Sequence, residues 1–190
     1  PNAQHALLIV PLPTLMHRLA PTDFIASRTF AYRVGELLDR DQLQQQLSRA
    51  GYNRVDTVYE HGEYAFRGSL VDIYPMGAKQ PFRIDLLDDE IESLRLFDSE
   101  SQRTSENVSQ IELLPAREFP LDKQACNQFL NNWHTHFDQD PSKCPVYRDI
   151  KDGIAPQGIE YYLSLFFDQT ASLFDYLPEK VQLFSHVGIE

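Results

Sequence analysis

Two kinds of residue in this chain could do chemistry: a run of acids and a pair of arginines near it. The stretch "RIDLLDDEIESL", residues 83–94, is apolar and strand-like, and carries five acids within eight positions: Asp85, Asp88, Asp89, Glu90 and Glu92. A strand ending in Asp-Glu can hold the metal of a nucleotide hydrolase, which makes Asp88, Asp89 and Glu90 candidates for that work. Such chemistry also needs a phosphate cradle, and none of the eight glycines opens a GxxxxGK[ST] loop. Adjacent Asp residues favour turns, because their side chains bond their own backbone. The acid run therefore reads as a hairpin turn.

The arginines are Arg67 and Arg83. Strand alternation puts Phe82, Ile84 and Leu86 on one face, and Arg83, Asp85 and Leu87 on the other. Arg67 falls on the preceding strand, where Gly68 marks a bulge or a close backbone approach. Two readings stay open. The arginines pair with local acids, or they form a protein-binding face with their guanidinium groups turned to solvent. Interfaces favour Arg beside apolar side chains, because guanidinium is weakly hydrated and bonds in a bidentate way.

The remaining reactive residues form no catalytic, cofactor or metal pattern. The six histidines make no HExxH or Cys/His zinc spacing. His134 and His136 point to different sides of a helix, so solvated surface histidines are expected. Cys126 and Cys144 form no CxxC pair and are read as reduced thiols. Neither Cys126 nor Ser69 has a nucleophile motif around it.

Composition narrows the partners. The chain has 190 residues, of which 42% are apolar, so it can bury a sizeable core. Its net charge of −11 weakens a case for nucleic acid, since phosphate contacts need clustered Lys and Arg. No apolar run reaches the ~20 residues of a membrane span, and no signal peptide is evident. A cytoplasmic protein with no membrane contact is expected. Pro1 opens the chain inside an organised pattern and "HVGIE" follows an apolar run, so a piece of a larger protein is predicted.

The elements that must position these residues follow from periodicity. Ala6 to Val10 predicts a buried strand, and Thr14 predicts the cap of a short helix ending at Pro21. A strand is expected in "TFAYRVGE". A helix follows, capped by Asp39 with Gln42 as its capping-box partner and stopped at Gly51. Strands are predicted at roughly 54–60, 63–74, 81–87, 91–97 and 108–113, with turns at His61-Gly62, Met76-Gly77 and Asp88-Asp89. One helix plus antiparallel strands makes an α+β domain of about 85 residues. Beyond it, Asp122 predicts a helix with Ala125, Phe129, Trp133 and Phe137 in one stripe. "DQDPSKCP" predicts a loop, "GIEYYLSLFF" a helix, and Val181 to Phe184 a short strand.

A longer pattern runs through these elements. "RGSLVDIYP", then "RIDLLDDEIESLRLFD" with "SQRT", then "ELLPAREFP" and "GIEYYLSLFF…LFDYLP" closely resemble the transcription-repair coupling factors, the Mfd family, over essentially the whole chain. The likeness is to the module that family shares with the excision-repair protein UvrB. It implies that residues 1–28 end a helicase-like domain, 29–115 form an inserted α+β domain that binds UvrA, and 116–190 return to the helicase-like part. It also implies a non-catalytic recruitment module without a cofactor. RNA polymerase and DNA would be met through other parts of the full-length protein, which is an ATP-driven translocase. Arg67 and Arg83 match arginines that contact UvrA, and Leu87 stands where relatives carry a phenylalanine. The alternative is a degenerate helicase-like fragment that binds nucleotide or DNA.

Overall fold

The computed structural model describes residues 7–138 and 140–184. The chain begins with two short helices, α1 (Leu12–Leu15) and α2 (Thr22–Ala26). Strand β1 (Phe30–Arg33) and helix α3 (Arg40–Arg49) follow. Next come β2 (Asn53–Arg54), β3 (Glu63–Arg67), β4 (Leu70–Ile73), β5 (Phe82–Leu87), β6 (Glu90–Phe97), β7 (Thr104–Val108) and β8 (Gln110–Leu113). Helices α4 (Lys123–His136) and α5 (Pro145–Lys151) complete the regular elements, with 3₁₀ turns at Ile159–Phe166 and Leu173–Tyr176.

The organising element is a six-stranded sheet in the order β2-β3-β4-β5-β6-β7, antiparallel except for the β2–β3 pair. Strands β1 and β8 form a separate antiparallel ribbon. Helix α3 covers one sheet face, and the expected local signals fix its ends. The Asp39 carboxylate accepts from the backbone N–H of Asp41 and Gln42, and Gly51 takes a φ of 88° just past the last turn. Leu43 and Leu47 from this helix meet Val71, Ile73, Ile84, Leu86, Ile91 and Leu94 from the sheet in one buried cluster. The expected core face of β5 is thus the observed one. The architecture is α+β.

A second buried cluster lies further along the chain. Phe129 and Trp133 of α4 pack with Ile150, Leu163 and Phe166. The Asp122 side chain accepts from Ala125 N–H, as a cap should. Phe137 closes the predicted stripe but is partly exposed at the helix end.

Several expectations require correction. The predicted 63–74 strand is a hairpin: Arg67 pairs with Leu70 across Gly68-Ser69, so Gly68, at φ 60°, makes a tight turn rather than a bulge or close approach. Of the predicted 54–60 strand only Arg54 is extended in a ladder, and the following residues form a loop. Residues 108–113 divide into the end of β7 and β8. Leu7 to Val10 and Val181 to Phe184 are irregular and largely exposed, with no ladder partner among the described residues. Apolar runs of that length make strands only where another strand completes their hydrogen bonds. Residue Ala6 lies outside the described residues. Thr14 is inside α1, whose cap is Pro11, and Pro21 starts α2 instead of ending the first helix.

Candidate protein-interaction face

The acid run resolves into a turn. Leu87 pairs with Glu90, leaving Asp88 and Asp89 as a two-residue connection, with Asp88 at φ 54°. Asp tolerates that left-handed conformation because its short side chain bonds locally. Among the described residues, no group of three or more His, Cys, Asp and Glu is arranged to hold a metal ion.

The outer face of the sheet, opposite α3, is built in rows by register. One row runs Ala65, Asp72, Arg83, Arg95. The next runs Arg67, Leu70, Asp85, Ser93. Across the two rows three arginines meet two carboxylates, a local cationic surplus on a chain of net charge −11. A β-bulge at Asp85/Leu86 then leads to Leu87, which is 64% exposed.

Asp72 is the hub of this ladder. It is 1% exposed, lies between the buried Val71 and Ile73, and binds both arginines. Arg83 donates from Nε to Asp72 Oδ1 at 2.7 Å and from Nη2 to Oδ2 at 3.0 Å, a bidentate pair. Its remaining arm donates to the Gln102 carbonyl at 3.3 Å, and the guanidinium lies 4.7 Å from the Phe97 ring centroid. The hydrogen bonds to Asp72 raise the Arg83 pKa, with burial opposing and the Asp72 and Asp85 charges assisting. Arg67 donates from Nη2 to Asp72 Oδ2, the oxygen that also accepts from Arg83 Nη2. Arg95 donates to Asp85 at 2.8 Å.

The two predicted arginines therefore converge on one carboxylate, and their surroundings differ. The loop after β2 sends Val55 and Val58 over this end of the face, where they pack with Ala65, Phe97 and Tyr74. That cover leaves the Arg83 side chain 11% exposed, while Arg67 at the sheet's free end is 40% exposed. Local acid pairing, one of the two sequence readings, describes Arg83 directly, and its guanidinium is turned inward rather than to solvent. Arg67 pairs and still faces solvent. Sequence reasoning missed Asp72 and Arg95. An Asp between Val and Ile gives no sign of its partner, and only the register shows Arg83 directly opposite.

Other residues are less isolated than expected. His61 stacks on Tyr74 and bonds the Ala78 carbonyl at 2.8 Å, and His134 meets the Tyr147 hydroxyl at 2.9 Å. Cys126 and Cys144 are free thiols, and burial pushes the Cys126 thiol up. No helix among the described residues is long and apolar enough to cross a membrane.

Fold and face together define a class: a small α+β domain whose sheet carries an ion-paired arginine ladder beside an exposed apolar anchor. Residues 30–119 match the UvrB interaction domain family. The whole chain is 45% identical to a segment of the transcription-repair-coupling factor of Escherichia coli K12, covering 17% of that relative. The corresponding protein of Haemophilus influenzae is 43% identical over 94% of the chain, and that of Bacillus subtilis 29% identical over 96%. Residues 30–119 thus resemble a UvrB interaction domain, within a chain that is similar to a segment of transcription-repair-coupling factors along its length. The chain spans about one-sixth of the length of these curated relatives.

Proposed function

We propose that this chain is a non-catalytic recruitment module, and that it binds the excision-repair protein UvrA through the outer face of its sheet. The observation that carries this is the exposed, preset cation Arg67, held by the buried Asp72 on the same surface as the exposed Leu87. The match to a UvrB interaction domain supports the choice of partner. Arg67 donates charge-assisted hydrogen bonds to a partner carboxylate, and Leu87 packs against an apolar partner side chain. Arg83 serves the same contact from beneath, fixing Asp72 and through it Arg67. In this reading the module belongs to a cytoplasmic protein that brings nucleotide excision repair to stalled RNA polymerase. Polymerase and DNA are engaged by other parts of the full-length protein.

The two buried clusters, with the Leu19–Ala171 bridge, the Phe24–Phe167 ring contact and the Tyr176 hydroxyl donating to the Ala20 carbonyl, support a division into a UvrA-binding domain over residues 29–115 and a helicase-like part formed by 1–28 and 116–190. Calorimetry with purified UvrA tests the reading. Arg67→Glu is expected to weaken binding more than tenfold, since breaking a hydrogen-bonded interfacial charge pair costs about 2–5 kcal/mol. An unchanged dissociation constant in a folded Arg67→Glu chain removes Arg67 from the contact. ATP hydrolysis by the wild-type chain, abolished by Asp89→Ala, would instead favour the nucleotide-binding alternative.

A further inference from the structure

Leu37 is 79% exposed, yet it is not on a loose loop. It forms an antiparallel bridge with Glu90, closed by Leu38 N–H to the Asp89 carbonyl at 2.7 Å and Ile91 N–H to the Glu36 carbonyl at 2.9 Å. Its neighbour Leu38 is 2% exposed and anchored in the core with Ile91 and Leu86. Glu90 pairs in turn with Leu87. Residues paired across strands project to the same side. Leu37, Glu90 and Leu87 therefore form one row at the end of the sheet, with an exposed leucine on each side of an acid. The backbone that carries Leu37 is fixed on both sides, so little ordering entropy is left to lose when its side chain is covered.

We propose that Leu37 is a second apolar anchor of the docking face, engaging the same UvrA surface as Leu87. This rests on the UvrA reading above. The chemistry expected of the partner is specific: an apolar side chain entering between the two leucines, beside a Lys or Arg that meets Glu90 and the Asp88-Asp89 turn. The arginine end of the face wants an acid and the leucine end wants a base, so the two ends together set the orientation of docking. The residue comes from a segment about fifty positions before Leu87 in sequence, brought beside it through Glu90, which pairs with both.

The test is calorimetry of UvrA with the wild-type chain, Leu37→Ala, Leu87→Ala and the double variant, with thermal midpoints recorded alongside. Leu37→Ala is expected to weaken binding about fivefold to thirtyfold, from the apolar area no longer covered. Its thermal midpoint stays within about a degree or two, because the side chain is already solvated in the free chain. The double variant should lose less than the product of the two single losses if both leucines grip one partner side chain. An unchanged dissociation constant for Leu37→Ala, with Leu87→Ala weakened, overturns this proposal and leaves the UvrA reading standing. Failure of the wild type to bind UvrA overturns both. Sedimentation showing a dimer of the free chain that Leu37→Asp dissolves reassigns the row to self-association, and that also overturns the proposal.

Discussion

Replacing Asp72 tests the ladder from its centre. The carboxylate is 1% exposed and Arg83 is 11% exposed, so neither charge is well hydrated if the other is removed. At an effective dielectric of about 20, unit charges about 4 Å apart attract by about 4 kcal/mol. Arg67 adds no more than about 1 kcal/mol, because at 40% exposure solvent screens it. Against this, the Gln102 carbonyl and the Phe97 ring continue to hold Arg83 after the substitution. Asp72→Asn, which keeps shape and one acceptor, is expected to destabilise the fold by about 3 kcal/mol. At this chain length that lowers the thermal midpoint by roughly 6–12 °C. Urea denaturation followed by far-UV circular dichroism measures it. The one tryptophan, Trp133, sits in the other core cluster, so circular dichroism is the more direct probe of the sheet. The double variant Asp72→Leu with Arg83→Leu should recover to within about 1 kcal/mol of wild type, since paired apolar replacement removes the unpaired charge. A loss below about 0.5 kcal/mol in Asp72→Asn refutes the argument, as does a double variant no better than the single.

Three further outcomes follow from the same structure. Phe129 is fully buried, with ring centroids 4.8 Å from Phe166 and 6.0 Å from Trp133, so Phe129→Ala should cost about 3–5 kcal/mol, read by Trp133 fluorescence during denaturation. Burial pushes the Tyr52 pKa up to about 12 against an opposing Met76 backbone hydrogen bond, and the folded chain therefore keeps this proton longer than the unfolded one. Its contribution, about 2–3 kcal/mol, is complete below the ordinary tyrosine value near 10 and is lost as pH rises toward 12; Tyr52→Phe should flatten that part of the stability profile. Leu87→Phe enlarges the apolar anchor with a ring on a 64% exposed site, so stability should change by less than about 0.5 kcal/mol while UvrA affinity rises severalfold by calorimetry.

Much of this molecule was legible before its coordinates. Asp39 and Asp122 announced their helices because an N-cap is a local event, settled within three residues. The Asp88-Asp89 turn was legible for the same reason, and alternation along β5 separated Ile84 and Leu86 from Arg83 and Asp85. What escaped was set by partners distant in sequence. Strand β7, Thr-Ser-Glu-Asn-Val, is polar and almost wholly exposed, so it carries no periodic signal and is a strand only because β6 offers it a ladder. Helix α5 buries Ile150 alone, too little for a visible stripe. The apolar runs at Leu7 and Val181 failed in the opposite sense, having the composition of strands without a ladder partner among the described residues. At the candidate site the arginines could be named, but not the carboxylate they share. Asp72 lies five residues from Arg67 and eleven from Arg83, and neither interval has meaning until the hairpin register is known.

The central claim is that the outer end of the β3–β6 sheet is where another protein docks. Amide hydrogen exchange of the chain with and without saturating UvrA measures this directly. Slowed exchange is predicted at Gly68 to Leu70, Asp88 to Glu90 and Leu37, with α4 and the Ile159–Phe166 turn unchanged. Binding that protects the α4 cluster and leaves those turn amides as fast as in the free chain would contradict the account.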